Sequence, residues 1–405
     1  MRFHLYYLIQ KVQIKARFGY LPESVGFVCL FDLQNPVGFL LPLNKTIMLQ
    51  KSFCVLFGCA IICMIPLFSQ EAISLEGTWK VKLDPENAGM VEKWFNDSFT
   101  DEITLPGSLD EHGIGNPLPE IHMGKLTSET RYVGSAWYQK EVVIPETWKN
   151  RRIELTLERA CWETTVYVDG VHTPIENSLT TQHLHDLTGM LTPGIHLLTI
   201  QVDNTVKINI GHTFGNMLWP HALSEESQTN WNGIIGKIEL ISTPMVWIQD
   251  LQAYPDLEKK NIRIALKLRN RSGSPVHGTL DLSMDPDGSR LEDLSFSFGG
   301  ADTILEVELP FGESPRYWDE FNPGLYTLKA RIETRYGGNQ QSVQTGLRDF
   351  KAVEQHFLLN GRKIYLRGKV CSAIFPLTGY PPMAVDRWRE IFQFYKDYGL
   401  NHLRC

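Results

Sequence analysis

From Leu75 onward, apolar residues return at every second position in one short run after another. The runs are Trp79, Val81 and Leu83; Ile153, Leu155 and Leu157; Val166 and Val168; Leu198, Ile200 and Val202; and Ile238 and Leu240. A period of two puts these side chains on one face of an extended chain, so each run predicts a half-buried β-strand. Asp84-Pro85, Pro106-Gly107, Asp169-Gly170 and Thr192-Pro193-Gly194 supply turn chemistry between them. Many short alternating strands without helical periods between them point to an antiparallel sandwich or barrel, expected over residues 73–243.

Pro244 opens a second series: Ile262, Ile264, Leu266 and Leu268; Leu280, Leu282 and Met284; Leu305, Val307 and Leu309; Tyr326, Leu328, Ala330 and Ile332. Its spacing and its turns at Pro286-Asp287-Gly288, Asn322-Pro323-Gly324 and Gly337-Gly338 predict a smaller sandwich of immunoglobulin type over 244–352. Then the period changes. A hairpin is expected at Asn360-Gly361 and a short strand from Lys363 to Gly368. Val385, Trp388, Ile391, Phe392, Tyr395 and Tyr398 then recur at helical spacing, with Gly399 as a stop and Leu400 to Cys405 opening another strand. Strand, helix and strand in that order begin a parallel α/β unit over 353–405.

The segment before this pattern has a different character. Residues 1–70 carry six Lys/Arg against Glu23 and Asp32, a net of +4, whereas the whole chain of 405 residues has a formal charge of -7. Phe53 to Phe68 holds no charge and follows Lys51. This run is shorter than the ~20 apolar residues of a membrane span and has the layout of a secretory signal peptide. Synthesis is therefore expected to start at Met48, with 1–47 a spurious upstream extension, 48–72 a signal peptide and the product secreted or periplasmic. An uncleaved N-terminal anchor is the competing expectation, and membrane contact is expected only through this segment. Of seven cysteines, Cys29, Cys54, Cys59 and Cys63 fall in it, leaving Cys161, Cys371 and Cys405 without a CxxC pair. Neither a disulfide framework nor a zinc site is expected. The acidic balance, with no Lys/Arg run, argues against nucleic acid as a partner.

Several segments, in their order, resemble glycoside hydrolase family 2, the group of β-galactosidases, β-glucuronidases and β-mannosidases. They are Leu75-Glu76-Gly77-Thr78-Trp79, Leu105-Pro106-Gly107-Ser108-Leu109-Asp110, Ala136-Trp137-Tyr138-Gln139-Lys140, Thr165-Val166-Tyr167-Val168-Asp169-Gly170 and Gly233-Ile234-Ile235-Gly236-Lys237-Ile238-Glu239-Leu240. Phe357 to Gly368 resembles the family's entry into its catalytic barrel. The resemblance implies a mainly β chain: a jelly-roll, galactose-binding-like sandwich, an immunoglobulin-like sandwich, then the first βα unit of a TIM barrel that is incomplete here. It implies an oligosaccharide or glycoside substrate and no cofactor.

A retaining glycosidase needs two carboxyl groups ~5 Å apart. The resemblance implies two glutamates on later barrel strands, the acid/base following an Asn, and no Asn-Glu dipeptide occurs in this chain. The expectation is an N-terminal, β-galactosidase-like portion that is inactive as this chain. Glu158 with Glu163, and Asp319 with Glu320, are expected to be solvated strand ends and turns. His183-x-His185-Asp186 would place two imidazoles on one strand face, yet no third ligand is apparent and no metal site is expected. Thr229-Asn230-Trp231-Asn232-Gly233 joins an aromatic platform to amides, a surface suited to stacking on a sugar and binding its hydroxyls. Asn230, Trp231 and Asn232 are therefore candidate substrate-binding residues, the alternative being that Trp231 is packed between sheet and loop. The resemblance adds Arg404, which matches an arginine that supports the nucleophile. Lys369 to Ala373 departs from the family's Asn/His-rich stretch and leaves galactose specificity open. Two readings from other classes remain: a non-catalytic carbohydrate-binding protein, and an adhesion module with the sandwiches as spacers.

Overall fold

The computed structural model describes residues 70–118, 128–207, 211–214, 217–220, 230–286, 288–371, 375 and 377–404. The expected upstream extension and the apolar run of the signal segment lie outside the described residues, as do Thr229, Asp287, Ser372 to Ala373 and Cys405.

The first sandwich stacks two antiparallel sheets. One runs Glu71–Ser74, Gly233–Thr243, Arg152–Ala160, His183–Asp186, with Gly107–Ser108 also paired to Gly233–Thr243. The other runs Val171–His172, Glu163–Val168, Gly194–Asp203, Ser135–Ile144, Gly77–Asp84, Asp101–Leu105, with Glu176–Asn177 also paired to Glu163–Val168. The period-two residues fill the space between them: Trp79, Val81, Leu155, Leu157, Val166, Ile200 and Leu240 all belong to one buried cluster. Glu71 pairs with Ser242 and Ala72 with Ile241, so the sheet begins two residues inside the segment assigned to the signal peptide. Backbone paired in a sheet is part of the folded sandwich. The Asp169-Gly170 turn has φ of 48° and 84°, the doubly positive conformation of a tight hairpin. A Cβ on Gly170 would lie 2.6 Å from Asn96 Oδ1, so the turn needs glycine for space as well as for φ.

The second sandwich sets Val246–Asp256, Asn261–Asn270 and Asp302–Pro310 against Ser289–Phe298, Val276–Asp285, Leu325–Thr334 and Gly337–Gly346. Ile262, Ile264, Leu280, Met284, Leu328 and Ile332 are buried between the sheets, while Leu305 and Val307 are half-buried. The two cysteines described, Cys161 and Cys371, are both free.

A three-stranded antiparallel sheet follows, Phe350–Val353, His356–Leu359 and Arg362–Ile364, turning at Asn360 and Gly361 with φ of 51° and 77°. The next strand is Gly368–Val370, and it pairs in parallel with His402–Arg404 across the helix Val385–Asp397. The single strand expected from Lys363 to Gly368 is therefore two, because Tyr365 to Arg367 leave the first sheet before the parallel pair begins. Gly399 ends the helix region with φ 72° and its N–H on Lys396 O at 2.8 Å. The chain thus contains one βα unit and no closed barrel among the described residues.

Candidate functional site

Two ends of the fold meet where the first sandwich touches the loop leaving strand Gly368–Val370. On the sandwich side, Gly107–Ser108 pairs with Gly233 and Ile234, and Leu109 N–H donates to Asn232 O at 2.8 Å. That crossing is close enough that a Cβ on Gly233 would sit 2.3 Å from Gly107 O, at a φ of 142°. Only glycine fits there. Ser108 N–H and the Glu111 carboxylate face one another at 3.3 Å, Glu111 N–H donates to Ser108 Oγ at 3.3 Å, and the His112 ring lies 2.9 Å from Ser108 O. This reciprocal capping holds Glu111 in place.

Trp231 is 5% exposed and packs with Cys161, Trp162, Ile235 and Tyr380. Tyr380 comes from the loop after Val370, and its ring meets Trp231 edge-on, with centroids 6.0 Å apart. Its hydroxyl donates to the Glu111 carboxylate, and burial, reinforced by that contact, raises its pKa. A second tie runs from Gly236 N–H to Met383 Sδ at 3.0 Å. The sandwich is thus anchored to the loop that follows the first parallel strand.

The amides beside Trp231 face inward. Asn232 is fully buried, donates to Gly134 O at 2.9 Å and Val202 O at 3.1 Å, and accepts from Tyr138 OH at 2.8 Å. Asn230 donates to Asn204 O at 3.1 Å and its Oδ1 lies 3.8 Å from Cys161 Sγ. Their polar groups tie this segment to the strands and loops around Gly134, Tyr138, Val202 and Asn204, and the packed position weighed for Trp231 is the one observed. Arg404 lies elsewhere, exposed at the end of His402–Arg404, where its carbonyl accepts from Cys371 N–H at 2.7 Å. The structure brings Asn230, Trp231 and Asn232 together and leaves Arg404 separate from that cluster's contacts.

Electrostatics single out Asp110, one residue from Glu111. Burial raises its pKa to about 7, against the lowering pull of Arg131, and Oδ1 has no hydrogen-bond partner among the described residues. Cys161 is an unpromising nucleophile because burial pushes its thiol up to about 12. His183 and His185 are buried and face Thr164 Oγ1 at 2.7 and 2.8 Å; His185 also reaches Thr173 Oγ1 at 2.8 Å and His183 reaches Ser178 O at 2.8 Å. Both rings are occupied by internal hydrogen bonds, and no group of three or more metal-ligating side chains occurs among the described residues. Glu158 accepts from Lys237 N–H at 2.8 Å, Glu163 pairs with Lys207 at 3.4 Å, and Asp319 accepts from Phe321 and Asn322 N–H groups. These carboxylates stabilise turns and strand ends. Tyr380 and Glu111 were not singled out by pattern. The available signal was an aromatic inside the Gly/Pro-rich run Gly379-Tyr380-Pro381-Pro382.

Comparison with known proteins decides the family. Residues 72–244 match the model described as "Glycosyl hydrolases family 2, sugar binding domain", and residues 246–348 match "Glycosyl hydrolases family 2". The chain belongs to glycoside hydrolase family 2. It is 24% identical over 312 residues to a β-glucuronidase of Paenibacillus borealis, covering 74% of this chain and 49% of that protein. It is 23% identical over 326 residues to a β-galactosidase of Priestia megaterium, covering 73% of this chain and 30% of the relative. Among solved structures, Bacteroides uniformis β-glucuronidase superposes with a TM-score of 0.64 at 20% identity, over 83% of this chain and 39% of that one. A Ruminococcus gnavus β-glucuronidase in complex with D-glucuronic acid gives 0.61 at 21%, over 82% and 55%. These likenesses carry the fold. The chain spans half or less of the length of the two sequence relatives.

Proposed function

We propose that this chain is the sugar-recognising and scaffolding portion of a secreted glycosidase acting on O-glycosidic bonds, with a β-glucuronide or β-galactoside as substrate. The observation that carries the reading is the docking of Tyr380 on Trp231 and Glu111. In a (β/α)₈ enzyme the loops at the C-terminal ends of the strands build the active site, and Tyr380 lies on the first such loop. The sandwich therefore braces the rim of the catalytic mouth. Asn230, Trp231 and Asn232 act as positioning residues for that rim.

The 405-residue chain itself is read as binding without turnover, because its sequence holds no Asn-Glu acid/base motif. Purified chain is expected to release nothing from aryl β-glucuronides, β-galactosides or β-mannosides. Turnover that is blocked by the matching sugar lactone would overturn this. Secretion is tested separately: the mature product's N-terminus is expected just ahead of Glu71, and a peptide from residues 1–47 would refute the leader assignment.

A further inference from the structure

The immunoglobulin-like sandwich carries two adjoining hollows that share no residue with the Trp231–Tyr380 junction. One, of about 420 Å³, lies between the hairpin tip after Val246–Asp256 and the segment entering Phe350–Val353, lined by Tyr254, Arg263 and Arg348 among others. The second, of about 340 Å³, is lined by Trp318, Gln344 and Thr345. Pro255 and Arg348 belong to both, which makes them one groove. Each hollow falls in the range of about 300–1,000 Å³ typical of small-molecule sites.

The charges of this groove are paired, with one exception. Asp256 accepts the N–H groups of Glu258 and Lys259 at 3.0 Å. Lys351 sits 2.8 Å from Asp349 and 3.9 Å from Glu258, Glu308 accepts from Asn261 at 2.9 Å, and Arg263 reaches Glu306 at 3.0 Å. Arg348 lies over the Trp318 ring, 4.5 Å from its centroid, and has no carboxylate partner among the described residues. A guanidinium above an aromatic face keeps its in-plane N–H donors for a further partner, and their fork matches a carboxylate in two bonds. Beside it stand Tyr254, 43% exposed, and the amide and hydroxyl of Gln344 and Thr345. Arg263 lies over the Tyr254 ring, 4.2 Å from its centroid, so the neutral amide and hydroxyl tips beside Arg348 are what suit a ring bearing many hydroxyls.

We propose that this groove binds a uronic-acid residue of an acidic polysaccharide, with the carboxylate on Arg348 and the ring hydroxyls towards Gln344 and Thr345. It is a second glycan site, which would keep an anionic polymer on the protein. The test is calorimetric titration of the full chain with a hyaluronan tetrasaccharide, whose alternate rings carry a carboxylate, against neutral cellotetraose. The acidic sugar is expected to bind at least about tenfold more tightly, the worth of one charge-assisted pair. Arg348→Gln should remove that preference with the melting temperature unchanged, and Arg348→Lys, which keeps charge without the fork, should restore part of it. No binding of the tetrasaccharide, equal binding of cellotetraose, or an unaffected R348Q chain would overturn the proposal. Tetraglutamate binding as tightly as the tetrasaccharide would replace a sugar with a peptide. None of these outcomes bears on the absence of turnover, which the hydrolysis assay decides.

Discussion

Asn232 and His185 show how far a residue type travels as a clue. An amide beside a tryptophan and a histidine two positions from another are both recognisable ligand chemistries, and in this fold both are used internally. His185 makes a measurable case. Burial, with His183 adding to it, holds its pKa down at about 3, against 6.5 for the free side chain. The unfolded chain therefore takes up a proton that the folded one refuses, so stability is lost as pH falls from 6.5 towards 3. Asp110 runs the other way: its pKa is raised from 3.8 to about 7, so its contribution is full at low pH and lost as pH rises through that window. The two offset one another in the native chain. In an Asp110→Asn chain the largest opposing group is gone, Glu154 still offsets part of the His185 effect, and urea unfolding should show a loss of up to roughly 2 kcal/mol between pH 7.5 and pH 5. A flat profile in that variant would mean that His185 is protonated in the folded state.

At the scale of elements, alternation was a faithful guide because each strand of the sandwiches has one face on a core. Trp79 to Val81 and Ile262 to Leu268 point inward at the positions their period requires. The two hairpin turns were legible for a related reason: Asp169-Gly170 and Asn360-Gly361 are residues that tolerate the positive φ seen there. The helix Val385–Asp397 was equally legible, yet none of its residues is buried. Trp388, Ile391 and Tyr395 are half-covered, while Val385 and Phe394 are 65% and 58% exposed. Period reveals which face is apolar and says nothing about what covers it. Amides of this helix should exchange with solvent about a hundredfold faster than those of Leu155 and Leu157 in the sandwich core. Equal protection, measured by hydrogen exchange, would show that the stripe is covered in solution.

For the whole molecule, the junction between the two sandwiches is the place where energetics decide. The Arg152 guanidinium lies 4.3 Å from the centroid of the Trp247 ring and pairs with Glu154, and Arg271 pairs with Asp186. Burial pushes the pKa of Arg152 down and that of Glu154 up despite their pairing, so desolvation outweighs attraction. Such a pair stabilises little, and removing one member strands the other. Arg152→Ala should cost about 3 kcal/mol in urea unfolding, whereas Arg152→Met combined with Glu154→Leu should be nearly neutral. Arg271→Ala, at a pair whose side chains are 48% and 33% exposed, should cost less than about 1 kcal/mol. A larger loss for Arg271 than for Arg152 would refute this account.

The amino-acid sequence on its own determined the mainly β fold class and the family, since hydrophobic period and turn chemistry are local and survive in a string of letters. Only the tertiary structure decided that Trp231, Asn230 and Asn232 face inward, that Tyr380 reaches Glu111 from 269 residues away, and that Arg348 stands over Trp318 without a counter-charge among the described residues. Those facts depend on which distant segments share a wall. Burial and pairing are properties of that wall, and no local pattern encodes them.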